Sequence, residues 1–571
     1  MADIAASTGV GNASATSPGR LWNSLRSFPI VVWLLILVVM PNALLFAVSF
    51  LGSAGGVIVY QATIANYMRL AQSSGVWYLL GRTLFVASAS AIIAALIAYP
   101  MALYAARVLR RGQILAVLLV VIPLWISLLM RIFAWRLILG ERGIINSFLM
   151  QAGLLSAPSS AFLYNSFAVF LTFVYVSLPF IFVSVFTAID RIPSSLIEAA
   201  NDCGASKFRA FSTVIWPLSK PGLAIGVSLA FLMAVGDYVT PSMVGGLDGT
   251  MLGMVIASQF GIAGNWAYGS ALAAMLLICV GAVLLVLFQV LKVPGILVGE
   301  GGMSPFAAGS KRPLRERIRD AGLFAAFCLP YVFLYAPLIV ITIFSFNSDK
   351  LQSFPLGDFS LQWYQELAQN VPLINALLRS LTVGVLVLVI SIVAGTGFAI
   401  LLTLGRLKNS AVLERLLLVP IAIPGVVLGI TLVLTFQLLS IPPGIPRVVL
   451  GHCSFVMPVI MMIVVGRLKR LDPSLVEAST DLGASPLQTF WFVLLPLVRG
   501  AIVGGALLGF TLSVDEVVVS MFLTGTEPTL PVWVWNQMRF GFTPSVNAIF
   551  VCIGLSTVVL IIASRRLIGK E

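Results

Sequence analysis

The chain has 571 residues, of which 59% are hydrophobic and only 10% charged, and its formal net charge is +13. Apolar runs of about 20 residues recur along it, each long enough to cross a hydrocarbon core about 30 Å thick as a helix, so this is a polytopic membrane protein and not a soluble one. The positive charge does not point to nucleic acid, because the basic residues sit in short clusters between apolar runs, where cytoplasmic loops collect Lys and Arg.

Residues 1–28 are polar and small, with Arg20 and Arg26 just before the first apolar run. They are expected to form a cytoplasmic tail, since the run that follows is too long for the core of a signal peptide. Six spans are predicted next, at about 29–51, 80–106, 114–138, 162–188, 215–240 and 268–292. Residues 293–320, VPGILVGEGGMSPFAAGSKRPLRERIRD, are rich in Gly and Pro and then basic, and are expected to be a cytoplasmic linker. Six further spans follow at about 322–346, 380–404, 412–439, 448–466, 501–524 and 546–564. The chain therefore divides into a tail, a first six-span unit at 29–292, the linker, and a second unit at 321–571. With both termini inside, the clusters at Arg107, Arg110 and Arg111, at Arg191, Lys207 and Arg209, at Lys311 to Arg319, at Arg406 and Lys408, at Arg467 to Arg470 and at Arg565 and Arg566 all face the cytoplasm. The opposite loops carry few positive charges, among them Arg69, Arg142, Lys350, Arg447 and Arg539.

The five cysteines are scattered, without C-x-x-C spacing, and give neither a disulfide framework nor a zinc pattern. The single histidine, His452, has no ligand partner near it in sequence and is expected to be an isolated loop residue; no metal site is expected.

One polar stretch occurs twice. EAANDCGASKFRAF at 198–211 returns as EASTDLGASPLQTF at 477–490. With an offset of 279, Arg191 falls on Arg470, Asp202 on Asp481, Gly204 on Gly483, Phe211 on Phe490 and Pro217 on Pro496. Ser195 with Glu198, and Ser474 with Glu477, have the spacing of a capping box, which starts a helix. Gly204 and Gly483 suit the left-handed position that ends one. Ser206 and Ser485 can cap a second helix, and Pro486 suits its first position. Each copy (194–217 and 473–496) is thus predicted to be a cytoplasmic helix–turn–helix hairpin between the fourth and fifth spans of its half. A docking surface presented twice fits a two-fold cytoplasmic partner.

The same offset places Asp237 on Glu516, with Asp515 adjacent. Asp515 and Glu516 lie about fifteen residues into a fifth span, roughly 22 Å from its cytoplasmic end, and Asp237 takes the matching place in the repeat. Ionisable groups at such depth are costly and usually face a cavity. These three carboxylates are expected to line one that attracts cations, with Tyr238, Trp125 and Trp135 offering ring faces to an ammonium group. Arg131, in the third span, either reaches the outer surface or faces the cavity, where it would meet a carboxylate on the solute.

The doubled E-A-A stretch, with its glycine and proline, resembles the "EAA" coupling loop of ABC-importer permeases with the MetI-like fold; Ser479 departs from the last alanine. FSFN (344–347), FSLQWYQEL (359–367) and LSVDEVVVSMFLTG (512–525) resemble the second permease subunit of spermidine/putrescine-type importers, and IPLWISLLMRIFAW (122–135) and GDYVTPSMVGG (236–246) the first. The similarity covers roughly 80–561, in one chain instead of two. It implies an all-α polytopic membrane fold of two homologous six-helix units, about 12 spans, in the bacterial inner (plasma) membrane. It implies coupling through Glu198, Ala199, Ala200, Asp202 and Gly204 and through Glu477, Ala478, Asp481 and Gly483, docked in two copies of an ABC ATPase. It also implies a periplasmic or surface-anchored solute-binding protein. No G-x-x-x-x-G-K-[ST] loop occurs, so ATP and Mg belong to those partners and the chain is no enzyme and carries no cofactor of its own. The expected cargo is a small cationic organic solute, such as putrescine, spermidine or a related amine, opine or amino-acid-like compound. The alternatives are a fused permease for ferric ion and a twelve-span secondary transporter.

Overall fold

The computed structural model describes residues 27–568, apart from 55–56, 110–111, 292–315, 351, 353–355, 406, 408 and 541–543. The expected tail, most of the expected linker and the basic residues at 110–111, 311–315, 406 and 408 lie outside the described residues.

The first half runs through α1 (Ser27–Ser49), a hairpin of β1 (Leu51–Ala54) and β2 (Val57–Ala62), and the short helix α2 (Ala65–Gln72). It continues with α3 (Ser74–Arg107), α4 (Gln113–Leu124), α5 (Leu128–Leu139), α6 (Ser166–Asp190), α7 (Ser194–Asp202) and α8 (Lys207–Gly236), and ends with α9 (Leu252–Phe260) and α10 (Trp266–Leu291). The second half repeats the order: α11 (Glu316–Ser345), α12 (Gln362–Gln369), α13 (Val371–Leu404), α14 (Ser410–Ala422), α15 (Gly425–Leu438), α16 (Ile445–Leu468), α17 (Ser474–Asp481) and α18 (Pro486–Val514). It closes with α19 (Val518–Leu523), α20 (Leu530–Phe540) and α21 (Ser545–Ile568).

Among the described residues nine helices are long and apolar enough to cross a membrane, and two bent pairs bring the number to eleven. The bent pairs correct the sequence reading of each third span as one helix. α4 meets the run Leu128–Gln151, which α5 begins, at 85°, and α14 meets α15 at 105°. The breaks fall at Ser127 and Pro424, which share one extended conformation with φ −44°, ψ 136° and φ −52°, ψ 133°. Two further differences are small. α11 begins at Glu316, inside the expected linker. Among the described residues the all-α expectation has one exception, the β1–β2 hairpin, in which Gly52 faces Val59 and Ala54 faces Val57. The second half has a trace of the same ladder, where Asn347 bridges Phe359.

In each half α6 or α16 is the central post, packed by α3 and α8 or by α13 and α18. Helices in lipid gain little from hydrophobicity and need close backbone approach, which small residues permit. A Cβ on Gly226 would lie 2.9 Å from the Ile181 Cα, and one on the matching Gly505 would lie 3.5 Å from the Ile460 Cα. The halves also exchange arms. α1 packs on α15 of the second half, and α11 packs on α5 of the first. α9 reaches α15 and α20 reaches α5 in the same reciprocal manner. The arrangement is a pseudo-two-fold pair with its seam along the broken third spans.

Candidate functional site: the seam and the two cytoplasmic hairpins

Both fifth spans end at the candidate acids. α8 stops at Gly236, and α18 stops at Val514. The chain then turns into short helical segments, Pro241–Gly245 and α19. A turn that starts a helix leaves orphan amides, and a carboxylate satisfies them. Asp237 Oδ1 accepts from the Val239 and Thr240 amides at 2.7 and 3.0 Å, and its other oxygen accepts from the Thr240 hydroxyl. Glu516 Oε1 accepts from the Val519 amide at 2.9 Å. The aligned acids thus do one local job in both halves. They differ in access, since Asp237 is buried while Asp515 and Glu516 are half-buried.

Asp515 reaches across the seam. Both its oxygens accept from the Leu128 amide, at 3.2 and 3.0 Å, at the N-terminus of α5. Arg131, one turn further along that helix and only 4% exposed, acts electrostatically on Asp515. Glu516 lies within electrostatic reach of both Asp515 and Asp237. Asp237 of the first half thus stands within electrostatic reach of Glu516 of the second, whose neighbour Asp515 is beside Arg131.

Tyr238 joins this group from the side. It is buried, donates its hydroxyl to the Met521 sulfur, and holds its ring 6.1 Å from Phe522 and 6.3 Å from Trp535. Trp135 does not join. It is buried between Tyr175 at 5.7 Å and Phe333 at 5.1 Å, where it packs the third span against α11. Trp125 lies at the α4–α5 break, and its side chain is outside the described residues. A cavity of about 520 Å³ lined by Tyr99, Trp216, Leu223 and Leu287 opens between α3, α8 and α10, and none of the candidate residues lines it.

His452 corrects the sequence reading. It is no loop residue but part of α16, 1% exposed, with Nδ1 2.9 Å from the Ser513 hydroxyl and Nε2 2.9 Å from the Ser520 hydroxyl. Trp535 was not singled out in the sequence either, and its only signal is an aromatic in a predicted loop. Packing of α20 against α5 is what carries it to Tyr238.

The hairpins take the expected helix–turn–helix course with one correction. Gly204 and Gly483 both adopt φ +79°, the left-handed conformation glycine favours. Ser206 and Ser485 cap the second helices through the Arg209 and Gln488 amides, and Gln488 completes a capping box with Ser485. The capping boxes expected at Ser195/Glu198 and Ser474/Glu477 do not form. Pro193 and Pro473 occupy the N-cap positions and move Ser194, Ser195 and Ser474 inside the helices. In the second copy Asp472 replaces them by accepting from the Ser474 amide at 3.0 Å. That bond, then one from the Ser474 side chain, holds the Asp472 carboxyl below its ordinary value. Glu198, Ala199, Asp202 and Gly204, with Glu477, Ala478, Asp481 and Gly483, are exposed, and Ala200 is half-buried. Ser479, the departure from E-A-A, is buried and shares a 2.9 Å hydrogen bond with Thr489. The matching residues of the first copy are Ala200 and Ala210, so a polar pair replaces an apolar pair at one contact. Beside the acids each hairpin exposes matched apolar residues, Leu196 and Phe208 in one and Leu475 and Leu487 in the other.

The family profile described as "Binding-protein-dependent transport system inner membrane component" matches residues 92–298 and again 391–569. The spermidine/putrescine transport system permease protein PotB of Haemophilus influenzae is 35% identical over 264 residues, which cover 46% of this chain and 91% of that protein. The putrescine transport system permease protein PotI of Escherichia coli (strain K12) is 35% identical over 39% of this chain and 81% of its own length. The spermidine/putrescine permease PotC of the same strain is 34% identical over 42% of this chain and 91% of its own length. Among solved structures, a bacterial ABC transporter that imports the acidic polysaccharide alginate aligns with TM-score 0.39 and 16% identity, over 48% of this chain and 98% of the matched chain. Each permease relative fills less than half of this chain while being nearly covered itself, as two units in one chain require. The chain belongs to the family of binding-protein-dependent transport system inner membrane components, as an integral membrane protein that fuses two MetI-like permease units.

Proposed function

We propose that the chain is the transmembrane pathway of an ABC importer for a small cationic organic solute, a polyamine such as putrescine or spermidine or a related amine, moved into the cytoplasm. Asp515 and Glu516, with Asp237 behind them, stabilise the protonated amine as it crosses the seam, and exclusion of bulk water strengthens that attraction. A solute-binding protein delivers the cargo from outside. Two ATPase subunits dock on the hairpins at 194–217 and 473–496. The exposed Leu196, Phe208, Leu475 and Leu487 supply the apolar contact, and Glu198 and Glu477 lie beside it. ATP hydrolysis in those partners moves the hairpins and, through α8 and α18, the acids at their far ends. The hairpins and both termini face the cytoplasm.

The observation that supports this reading is that Asp515 crosses the seam to the Leu128 amide while Glu516 stands within electrostatic reach of Asp237 of the other half. The experiment is uptake of labelled putrescine into proteoliposomes holding this chain, its ATPase and its binding protein. Asp515→Asn and Glu516→Gln keep shape and remove charge, and should lower uptake by tenfold or more while both ATPases still co-purify. Normal uptake by the double neutral variant would sink the cation pathway. Uptake unaffected by Phe208→Asp with Leu487→Asp would sink the docking role.

A further inference from the structure

We infer that His452 is a positioning residue that sets where Asp515 and Glu516 stand, by tying together the two ends of the break that carries them. This rests on the proposed role of those acids in the pathway.

The break lies between α18, ending at Val514, and α19, starting at Val518. Ser513 sits on one side of it and Ser520 on the other, and His452 is hydrogen-bonded to both hydroxyls at 2.9 Å. A neutral imidazole has one N–H and one lone pair, and a hydroxyl can serve either. The three side chains therefore satisfy one another whichever ring nitrogen carries the proton. All three are at most 3% exposed, so water does not compete for these bonds.

Glycines let α19 come close enough. A Cβ on Gly451, next to His452, would meet Leu523 at 2.4 Å, and one on Gly429 of α15 would meet Phe522 at 2.7 Å. α19 is held between two helices with its serine facing the ring. The repeat shows that the fold does not demand this clamp. With the 279 offset His452 falls on Phe173, which is buried at 2% exposure in the equivalent post of the first half. There the matching acid, Asp237, is fully engaged by its own loop at Val239 and Thr240. Glu516 is likewise held by its own turn, through the Val519 amide at 2.9 Å and the Val518 amide, whereas Asp515 leaves its turn altogether for Leu128. The half with an acid that leaves its own turn, Asp515, is the half with the histidine clamp.

The test compares His452→Phe, His452→Gln, the pair Ser513→Ala with Ser520→Ala, and the triple variant His452→Phe with both serine changes. Putrescine uptake in the reconstituted complex gives apparent KM and maximal rate, and thermal unfolding reports general damage. Losing two hydrogen bonds of ordinary strength should raise KM about tenfold. His452→Gln, which keeps a donor and an acceptor, should recover most of that. The serine pair should match His452→Phe, and the triple variant should be no worse, because residues acting as one unit do not add. Wild-type KM in His452→Phe, or losses that add in the triple variant, would overturn the inference. A second arm needs no solute. In an otherwise cysteine-free chain, Glu516→Cys is labelled with a small maleimide with and without His452→Phe. A severalfold change in labelling rate is expected, and identical rates overturn the inference. If the wild type imports no putrescine but the labelling rate still responds, the solute reading falls and the positioning role stands.

Discussion

Asp515 of the second half accepts the Leu128 amide of the first half through both carboxylate oxygens, at 3.2 and 3.0 Å. The anion sits at the positive end of α5, where helix dipoles favour negative charge. The pseudo-symmetric joint is built differently. By the repeat offset Asp515 corresponds to Gly236, and Gly236 lies against the other break, where a Cβ would be 2.6 Å from the Gly425 nitrogen and 2.9 Å from the Pro424 Cα. One joint is a charged bond and the other is bare backbone contact.

The bare joint should not tolerate a side chain. Gly236→Val should lower the stability of the folded chain by about 1–3 kcal/mol, as overpacked interiors do. A fall of several degrees in the thermal transition checks it. Asp515→Gly, which gives the charged joint the residue of the bare one, should fold yet loosen the seam, and unchanged proteolytic resistance would count against the bond.

The hairpin turns should respond alike in both halves. A β-branched residue at φ +79° is strained by about 1–3 kcal/mol. Gly204→Val and Gly483→Val should each redirect the second helix and reduce recovery of a tagged ATPase with the chain. Gly→Asn at the same positions should be milder, because Asn tolerates the left-handed region. Equal recovery across all four variants would separate the turn from docking.

Ser479 and Thr489 offer a double-mutant cycle. Removing either hydroxyl alone leaves the other buried without its partner, at a cost of about 1–3 kcal/mol. Replacing both by alanine recreates the pair at Ala200 and Ala210 and should restore most of the loss. Hydrogen exchange in α17 and α18 measures both steps.

Orientation has a native reporter. Cys203 is exposed at the end of α7. With the other four cysteines replaced, it should resist a membrane-impermeant maleimide in intact cells and react in inverted vesicles. Ready labelling from outside would turn the topology over.

What was legible in the sequence was mostly local. Gly204, Gly483, Ser206, Ser485 and Pro486 specify their turns within a few residues, and the turns formed as expected. The capping boxes misled because the serine–glutamate spacing is right but Pro193 and Pro473 take the cap. The breaks in the third spans had a local signal, Pro123 and Ser127 in one and Pro420 and the Pro424–Gly425 pair in the other, but the long apolar runs around them read as single spans. The alignment of Asp237 with Glu516 was visible, but the Leu128 amide that engages Asp515 lies 387 residues away, and no periodicity links them. His452 was misplaced for the same reason, because its serines follow it by 61 and 68 residues.

The exchange of first helices between halves has a consequence for synthesis. α1 leaves the ribosome several hundred residues before α15, the helix that covers it, and translation proceeds at about 5–20 residues per second. For that interval the nascent first half holds an apolar arm packed on α10 and tied at its end to α2, with its second-half partner still unmade. Two separate chains would have to find each other across the bilayer to close such a seam, and identical halves could close it wrongly. Carrying both halves on one polypeptide makes the meeting unimolecular, fixes the ratio at one to one, and gives each arm a single destination.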